Sequence, residues 1–168
     1  MKSRFYPVFV SIGANLTGPN GRVALAGCNA AAEALRAIPG LRMQGLSHWV
    51  ETDPIPAGGP SYVNGMAWLE GNTDPAWLLA RLQAIEARAG RVRPYPNAPR
   101  VLDLDIIAMG NLVRNSPDPV LPHPRAHLRR FVLEPLAELA PSWVHPSSHL
   151  TIGALLAALP PQGVKRLV

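Results

Sequence analysis

The segment Arg100-Val101-Leu102-Asp103-Leu104-Asp105-Ile106-Ile107 constrains the fold of this chain more than any other. It is rich in Leu, Ile and Val and reads as a β-strand, in which alternate residues share a face. Asp103 and Asp105 therefore project together, while Leu102, Leu104 and Ile106 project the other way into a core. Such a strand belongs in a sheet with one face packed and the other open. Asp is disfavoured in strands, and two neighbouring like charges repel unless a cation sits between them. A divalent metal is the simplest relief, and hard oxygen ligands suit Mg²⁺ better than Zn²⁺. The alternative is a solvated face whose acids pair with arginine. Perturbed charge pairs concentrate at functional sites, which favours the metal.

The rest of the chain supplies the other elements. Residues 8–12 read as a first strand, and the loop over 14–22 is dense in turn formers. Leu25, Cys28, Ala32, Leu35 and Ile38 recur at helical spacing before Pro39-Gly40 stops the helix, and Cys28 packs there as a small apolar group. Residues 41–52 form a second strand, interrupted or bulged at Gly45. After a Pro- and Gly-dense loop, Tyr62, Asn64, Met66 and Trp68 alternate with Val63, Ala67 and Leu69 along a third strand. Asp74-Pro75 starts a second helix, with Trp77, Leu78, Leu82 and Ile85 toward the core and Gly90 at its end. A proline-rich loop leads to the aspartate strand, which turns at Gly110-Asn111. A helix through Phe131, Leu133, Leu136 and Leu139 and a short one over 152–159 follow. His145 and His149 have helical metal-ligand spacing, but Pro146 between them makes a surface turn the better reading.

This order, strand-helix-strand-strand-helix-strand, predicts an α+β fold of the ferredoxin-like kind. Its βαββαβ core would be an open, mostly antiparallel sheet with both helices on one face and extra C-terminal helices. The open face would carry Asp103 and Asp105, together with Tyr62 and Asn64. No repeat or linker divides the chain, so residues 1–168 read as one domain.

Charge points to an anionic partner. The net charge is +5, and apart from Lys2 and Lys165 every Lys/Arg-type cation is Arg. Arg91, Arg93 and Arg100 cluster before the aspartates, and Arg125, Arg129 and Arg130 cluster after them. Arg makes forked bonds to phosphate, so the clustering suggests a polyphosphate or a nucleic acid; a coding-sequence bias toward Arg is the alternative. The lone Cys28 excludes an internal disulfide and fits a reducing compartment. No apolar run spans a bilayer, and the basic N-terminus lacks a cleavage site, so a cytoplasmic protein without a membrane partner is expected.

Neither a Walker-type phosphate loop nor a Gly-x-Gly-x-x-Gly turn is present. Several ordered motifs are instead distinctive: Gly13-Ala14-Asn15-Leu16, Glu51-Thr52-Asp53-Pro54, Tyr62-Val63-Asn64, Gly90-Arg91-Val92-Arg93, Pro99 through Asp105, Leu121-Pro122-His123-Pro124-Arg125, and Arg129 through Leu133. With them the chain resembles the 6-hydroxymethyl-7,8-dihydropterin pyrophosphokinase family of folate biosynthesis over nearly its whole length. The resemblance implies transfer of pyrophosphate from ATP, the co-substrate, to the pterin hydroxymethyl group, with AMP leaving. It implies two Mg²⁺ ions held by Asp103 and Asp105, with Arg91 and Arg100 as catalytic loop arginines. Gln83, Glu86, Arg93, Ile106, His123 and Arg129 match ATP-side positions, although Glu86 by itself reads as a solvated helix residue paired with an arginine. Tyr62 and Phe131 match two aromatic positions that sandwich the pterin, and Asn64 reads its edge. Thr52 and Ile55 would contribute mainly backbone contacts.

Some positions depart from the family pattern: Ala14 stands where Ser is usual, Asp53 where Pro is common, and the segment before Pro99-Arg100 is short and lacks a Trp. The rival readings are an RNA-recognition module and a Mg²⁺-dependent nuclease or phosphohydrolase. The third strand lacks the Arg/Lys-Gly-aromatic pattern of the first, and paired aspartates would repel phosphates without metal. A monomer acting on small molecules, with no nucleic-acid partner, is expected.

Overall fold

The computed structural model describes residues 5–15, 22–53, 61–89 and 102–167. Its elements run β1 (Tyr6–Asn15), α1 (Arg22–Arg36), β2 (Leu41–Leu46), β3 (Val50–Thr52), β4 (Tyr62–Gly71), α2 (Pro75–Ala89), β5 (Asp103–Met109), α3 (Arg130–Leu139), α4 (Ile152–Ala157) and β6 (Val164–Arg166). A 3-10 turn at Ala126–Leu128 precedes α3. The sheet order is β5-β1-β4-β3-β6, with β2 also paired to β4. Its first positions are the ferredoxin-like arrangement expected from the element order, antiparallel throughout the described ladders.

Alternation explains why β1 takes the centre. Val8, Val10 and Ile12 face one way and join Val63, Ala67, Leu69, Leu102, Leu104 and Ile106 under α1 and α2. Cys28 belongs to this layer; it is fully buried, and burial pushes its thiol up to about 12, as befits an apolar packing group. Phe9 faces the other way and packs with Met66, Ile107 and residues of α3 and α4. The second face is therefore only half open: α3 covers the end at Phe9 and Met66. The end at Ser11 and Gly13 stays clear.

Two local features fix the site's frame. Asp74 caps α2 as expected, its Oδ2 accepting the Trp77 N–H at 3.0 Å, and the Tyr6 hydroxyl donates to the Thr73 carbonyl at 2.7 Å. The strand expected over 41–52 is in fact two. Its register shifts between Met43 and Gly45, where a bulge was expected, and pairing then breaks at 47–49. Ser47 replaces the lost ladder bonds: its Oγ accepts the Met66 N–H at 2.8 Å and donates to the His48 carbonyl at 2.9 Å. The strand β6, absent from the sequence reading, closes the far edge by pairing with β3.

The expectation for the C-terminal histidines needs correction. His149 is exposed with φ 61, as a turn residue is, but His145 is only 6% exposed. Its Nδ1 accepts the N–H groups of Ser147 and Ser148 at 3.2 and 3.1 Å, and its ring meets His127 and Trp143 edge-on. The turn thus folds around the imidazole instead of exposing it.

Candidate active site

Strand register lays out the floor of the clear face. Across β5, β1 and β4, Asp103 pairs with Gly13 and Gly13 with Asn64; Asp105 pairs with Ser11 and Ser11 with Met66. Two strand spacings place the Asp103 and Asn64 backbones about 10 Å apart. Small residues between them keep the floor low. A Cβ on Gly13 would come within 2.9 Å of Asn64 Oδ1, so a side chain there would displace that amide.

A cleft of about 500 Å³ opens over this floor. It gathers Asp103 and Asp105 with Tyr62, Asn64, Thr52, Arg129 and Phe131, all singled out from the sequence. Asn64 is 8% exposed and its Nδ2 donates to Thr52 Oγ1 at 2.9 Å; Thr52 is itself 1% exposed. That bond fixes which way the amide points, leaving its Oδ1 and second N–H for other partners. Thr52 thus meets Asn64 through its side chain. Tyr62, 40% exposed, stands at the open rim. Phe131 lies in the first turn of α3, and the Arg129 guanidinium carbon lies 5.6 Å from its ring centroid.

His123 borders the same region. Its N–H donates to the Ile107 carbonyl at 2.9 Å, which ties the segment to β5. Its Nδ1 accepts the Arg125 N–H at 3.1 Å, so the neutral ring carries its proton on Nε2. Burial holds the His123 pKa below the ordinary value; the Asp105 carboxylate pulls it up, and Arg129 and Arg125 push it down. A neutral imidazole offering an N–H is suited to a phosphate oxygen.

Other residues singled out from the sequence lie elsewhere. Gln83 is exposed on α2 and does not line the cleft. Glu86 is not merely solvated: its Oε2 accepts the Leu104 N–H at 3.1 Å, capping the outer edge of β5. The Ile106 side chain is buried in the helix-side core, which leaves only its backbone for a ligand. Arg130 leaves the arginine cluster, donating to Glu134 and to the Leu156 and Leu159 carbonyls, so it ties α3 to α4. Arg91, Arg93, Arg100 and Ile55 lie outside the described residues. Sequence reasoning missed Ser11, Gly13 and Gln162 as lining residues. The first two were open to detection, because they share a face with Phe9 and pair across from the aspartates. Gln162 carried no signal.

Comparison with known proteins decides the family. The model of the 7,8-dihydro-6-hydroxymethylpterin-pyrophosphokinase family matches residues 9–141. The chain belongs to that family. A 2-amino-4-hydroxy-6-hydroxymethyldihydropteridine pyrophosphokinase of Pseudomonas aeruginosa is 41% identical over 162 residues, covering 95% of this chain and 96% of the relative. One of the same name from Synechocystis is 38% identical, covering 73% of this chain and 63% of its own. The folic acid synthesis protein fol1 of Schizosaccharomyces pombe is 36% identical over 78% of this chain, which corresponds to 18% of that larger protein. The chain is thus a pyrophosphokinase of folate biosynthesis acting on the hydroxymethyl pterin. The matched span contains every cleft residue singled out from the sequence, from Thr52 to Phe131.

Proposed function

We propose that this pyrophosphokinase joins ATP and 6-hydroxymethyl-7,8-dihydropterin in the cleft above Ser11 and Gly13, with Asp103 and Asp105 holding two Mg²⁺ ions. The observation that carries the reading is the gathering of both carboxylates, the Asn64–Thr52 pair, Tyr62, Phe131 and Arg129 in one cleft. The donor set suits magnesium. Among the described residues no group of three or more His, Cys, Asp or Glu side chains could enclose a metal ion. A bare pair of carboxylates leaves coordination positions for water and phosphate oxygens, as Mg²⁺ prefers and a structural Zn²⁺ site does not. When bound, the metal supplies positive charge to the phosphates and lowers the proton affinity of the attacking alcohol.

The chain's own residues do the rest. Tyr62 and Phe131 stack on the pterin faces, while Asn64, held by Thr52, donates and accepts at the ring edge. Thr52 and Ile55 add backbone contacts. The hydroxymethyl oxygen attacks the β-phosphorus, the bond from that phosphorus to the α,β-bridging oxygen breaks, and AMP leaves as the alcohol proton is released. Charge grows on the phosphate oxygens, where His123 Nε2–H and Arg129 donate, and Arg91, Arg93 and Arg100 complete the cationic side. Gln83 and Glu86 on α2 and the Ile106 backbone on β5 lie outside this cleft and would border the far end of the nucleotide. We read residues 1–168 as one domain acting as a cytoplasmic monomer, without nucleic-acid or membrane partners. Among the described residues no helix is long and apolar enough to cross a membrane. The test follows AMP release with and without the reduced pterin and Mg²⁺. Release is expected only with both, and brisk release without pterin overturns the reading.

A further inference from the structure

Gln162 sits just before β6, far in sequence from the family motifs, yet it lines the same cleft as Thr52 and Asn64. Its Nε2 donates to the Asp53 carbonyl at 2.8 Å, and the Asp53 N–H donates to the Gly163 carbonyl at 3.2 Å. A Cβ on Gly163 would overlap the Asp53 carboxylate, so that side chain lies directly over the glycine. Asp53 is thus clasped through its carbonyl, its N–H and its side chain by two consecutive residues. One residue earlier, Thr52 pairs with Val164 of β6 and carries the hydroxyl that accepts from Asn64. The chain of contacts runs Gln162, Asp53, Thr52, Asn64.

Gln162 also separates two spaces. It lines the active cleft and, on its other side, a second concavity of about 510 Å³ bordered by Val50, Glu138 and Val164. Thr52 and Asn64 lie on the first side only. We propose that Gln162 is a positioning residue for the pterin: by holding the Asp53 carbonyl and walling off the second concavity, it fixes the Thr52–Asn64 pair that meets the ring edge. This rests on the pterin assignment above. It requires no contact between Gln162 and the phosphates.

Two variants test it. Gln162→Ala removes both wall and bond, whereas Gln162→Glu keeps the wall but presents an acceptor to the Asp53 carbonyl. Loss of one neutral hydrogen bond of this kind corresponds to roughly three- to tenfold in affinity. Steady-state assays on the full chain should therefore show the pterin KM rising about three- to tenfold in both variants. The ATP KM should stay within about twofold, since nothing in the chain of contacts reaches the phosphate side. Thermal melting measured alongside identifies a purely structural brace. Equal rises in both KM values with a lowered midpoint would overturn the proposal, as would a Glu variant that behaves as wild type. Failure of the wild-type protein to consume the pterin would instead sink the substrate assignment, and that shows before any variant is made.

Discussion

At the scale of single residues, the cleft keeps the two aspartates on β5 apart from the Asn64–Thr52 pair on β4 and β3. Asp103 and Asp105 on β5 are separated from Asn64 on β4 by the whole of β1, so changing the charge of one should leave the geometry of the other intact. Asp103→Asn or Asp105→Asn keeps volume and removes a negative oxygen ligand. AMP release should fall by at least about 10²-fold, the scale of losing one electrostatic contributor to a charged transition state. The melting midpoint should change little, because both side chains are at least partly exposed. Near-normal turnover by either variant would remove the metal assignment. Thr52→Val makes the opposite kind of change: it keeps shape and deletes the acceptor for Asn64 Nδ2. A buried donor left without its partner costs about 1–3 kcal/mol. Chemical denaturation should report a loss of that size, and the pterin KM should rise while the ATP KM holds. An unchanged pterin KM would show that Asn64 does not need Thr52 to meet its ligand.

At the scale of elements, legibility followed how local the determining signal is. Strands β4 and β5 were readable because alternation marks both faces, and α2 because Asp74-Pro75 supplies a start signal, whereas β1 showed only as the β-rich run 8–12, half of its ten residues. The three-residue strands β3 and β6 exist because partners pair with them, and no periodicity can show in so short a run. The same reason hid Gln162. Nor could periodicity reveal that α3 would seat on Phe9 and Met66 and halve the open face. Most of the site residues needed the family motifs: Phe131 or Tyr62 alone reads as core or strand end. The turn around His145 shows what an element-scale surprise implies. Burial first, then His127 and His149, lowers the His145 pKa below the ordinary value near 6.5. The unfolded chain therefore binds more protons just below pH 6.5, so stability rises with pH across that window. Its contribution is complete above about 6.5 and is lost as pH falls toward the folded-state value. His123, lowered likewise, adds to the same slope. The melting midpoint should fall between pH 7 and 5, and His145→Asn, which keeps an acceptor for Ser147 and Ser148, should flatten part of that fall. An equally steep profile in the variant would show that His145 takes up its proton alike in the folded and unfolded states.

At the scale of the whole molecule, net charge and local charge pull in different directions. The chain carries +5 overall, yet its cleft has Asp103 and Asp105 on one flank and Arg125 and Arg129 on another. A uniformly positive groove would attract any polyanion, nucleic acid included. This cleft instead presents carboxylates that repel a bare phosphate, and under the proposed reading a magnesium-bound one would be accepted there. The long-range field should still raise the local concentration of an anionic nucleotide, whereas an uncharged pterin is indifferent to it. Salt separates the two contributions. The screening length is about 10 Å at 0.1 M and 3 Å at 1 M, so steering fades over that range while hydrogen bonds and stacking within the cleft persist. At fixed free Mg²⁺, raising ionic strength with a monovalent salt should increase the ATP KM several-fold and leave the pterin KM within about twofold. Both KM values rising together would place the pterin in the field of the same charges, and would move its site away from the Asn64 end of the cleft.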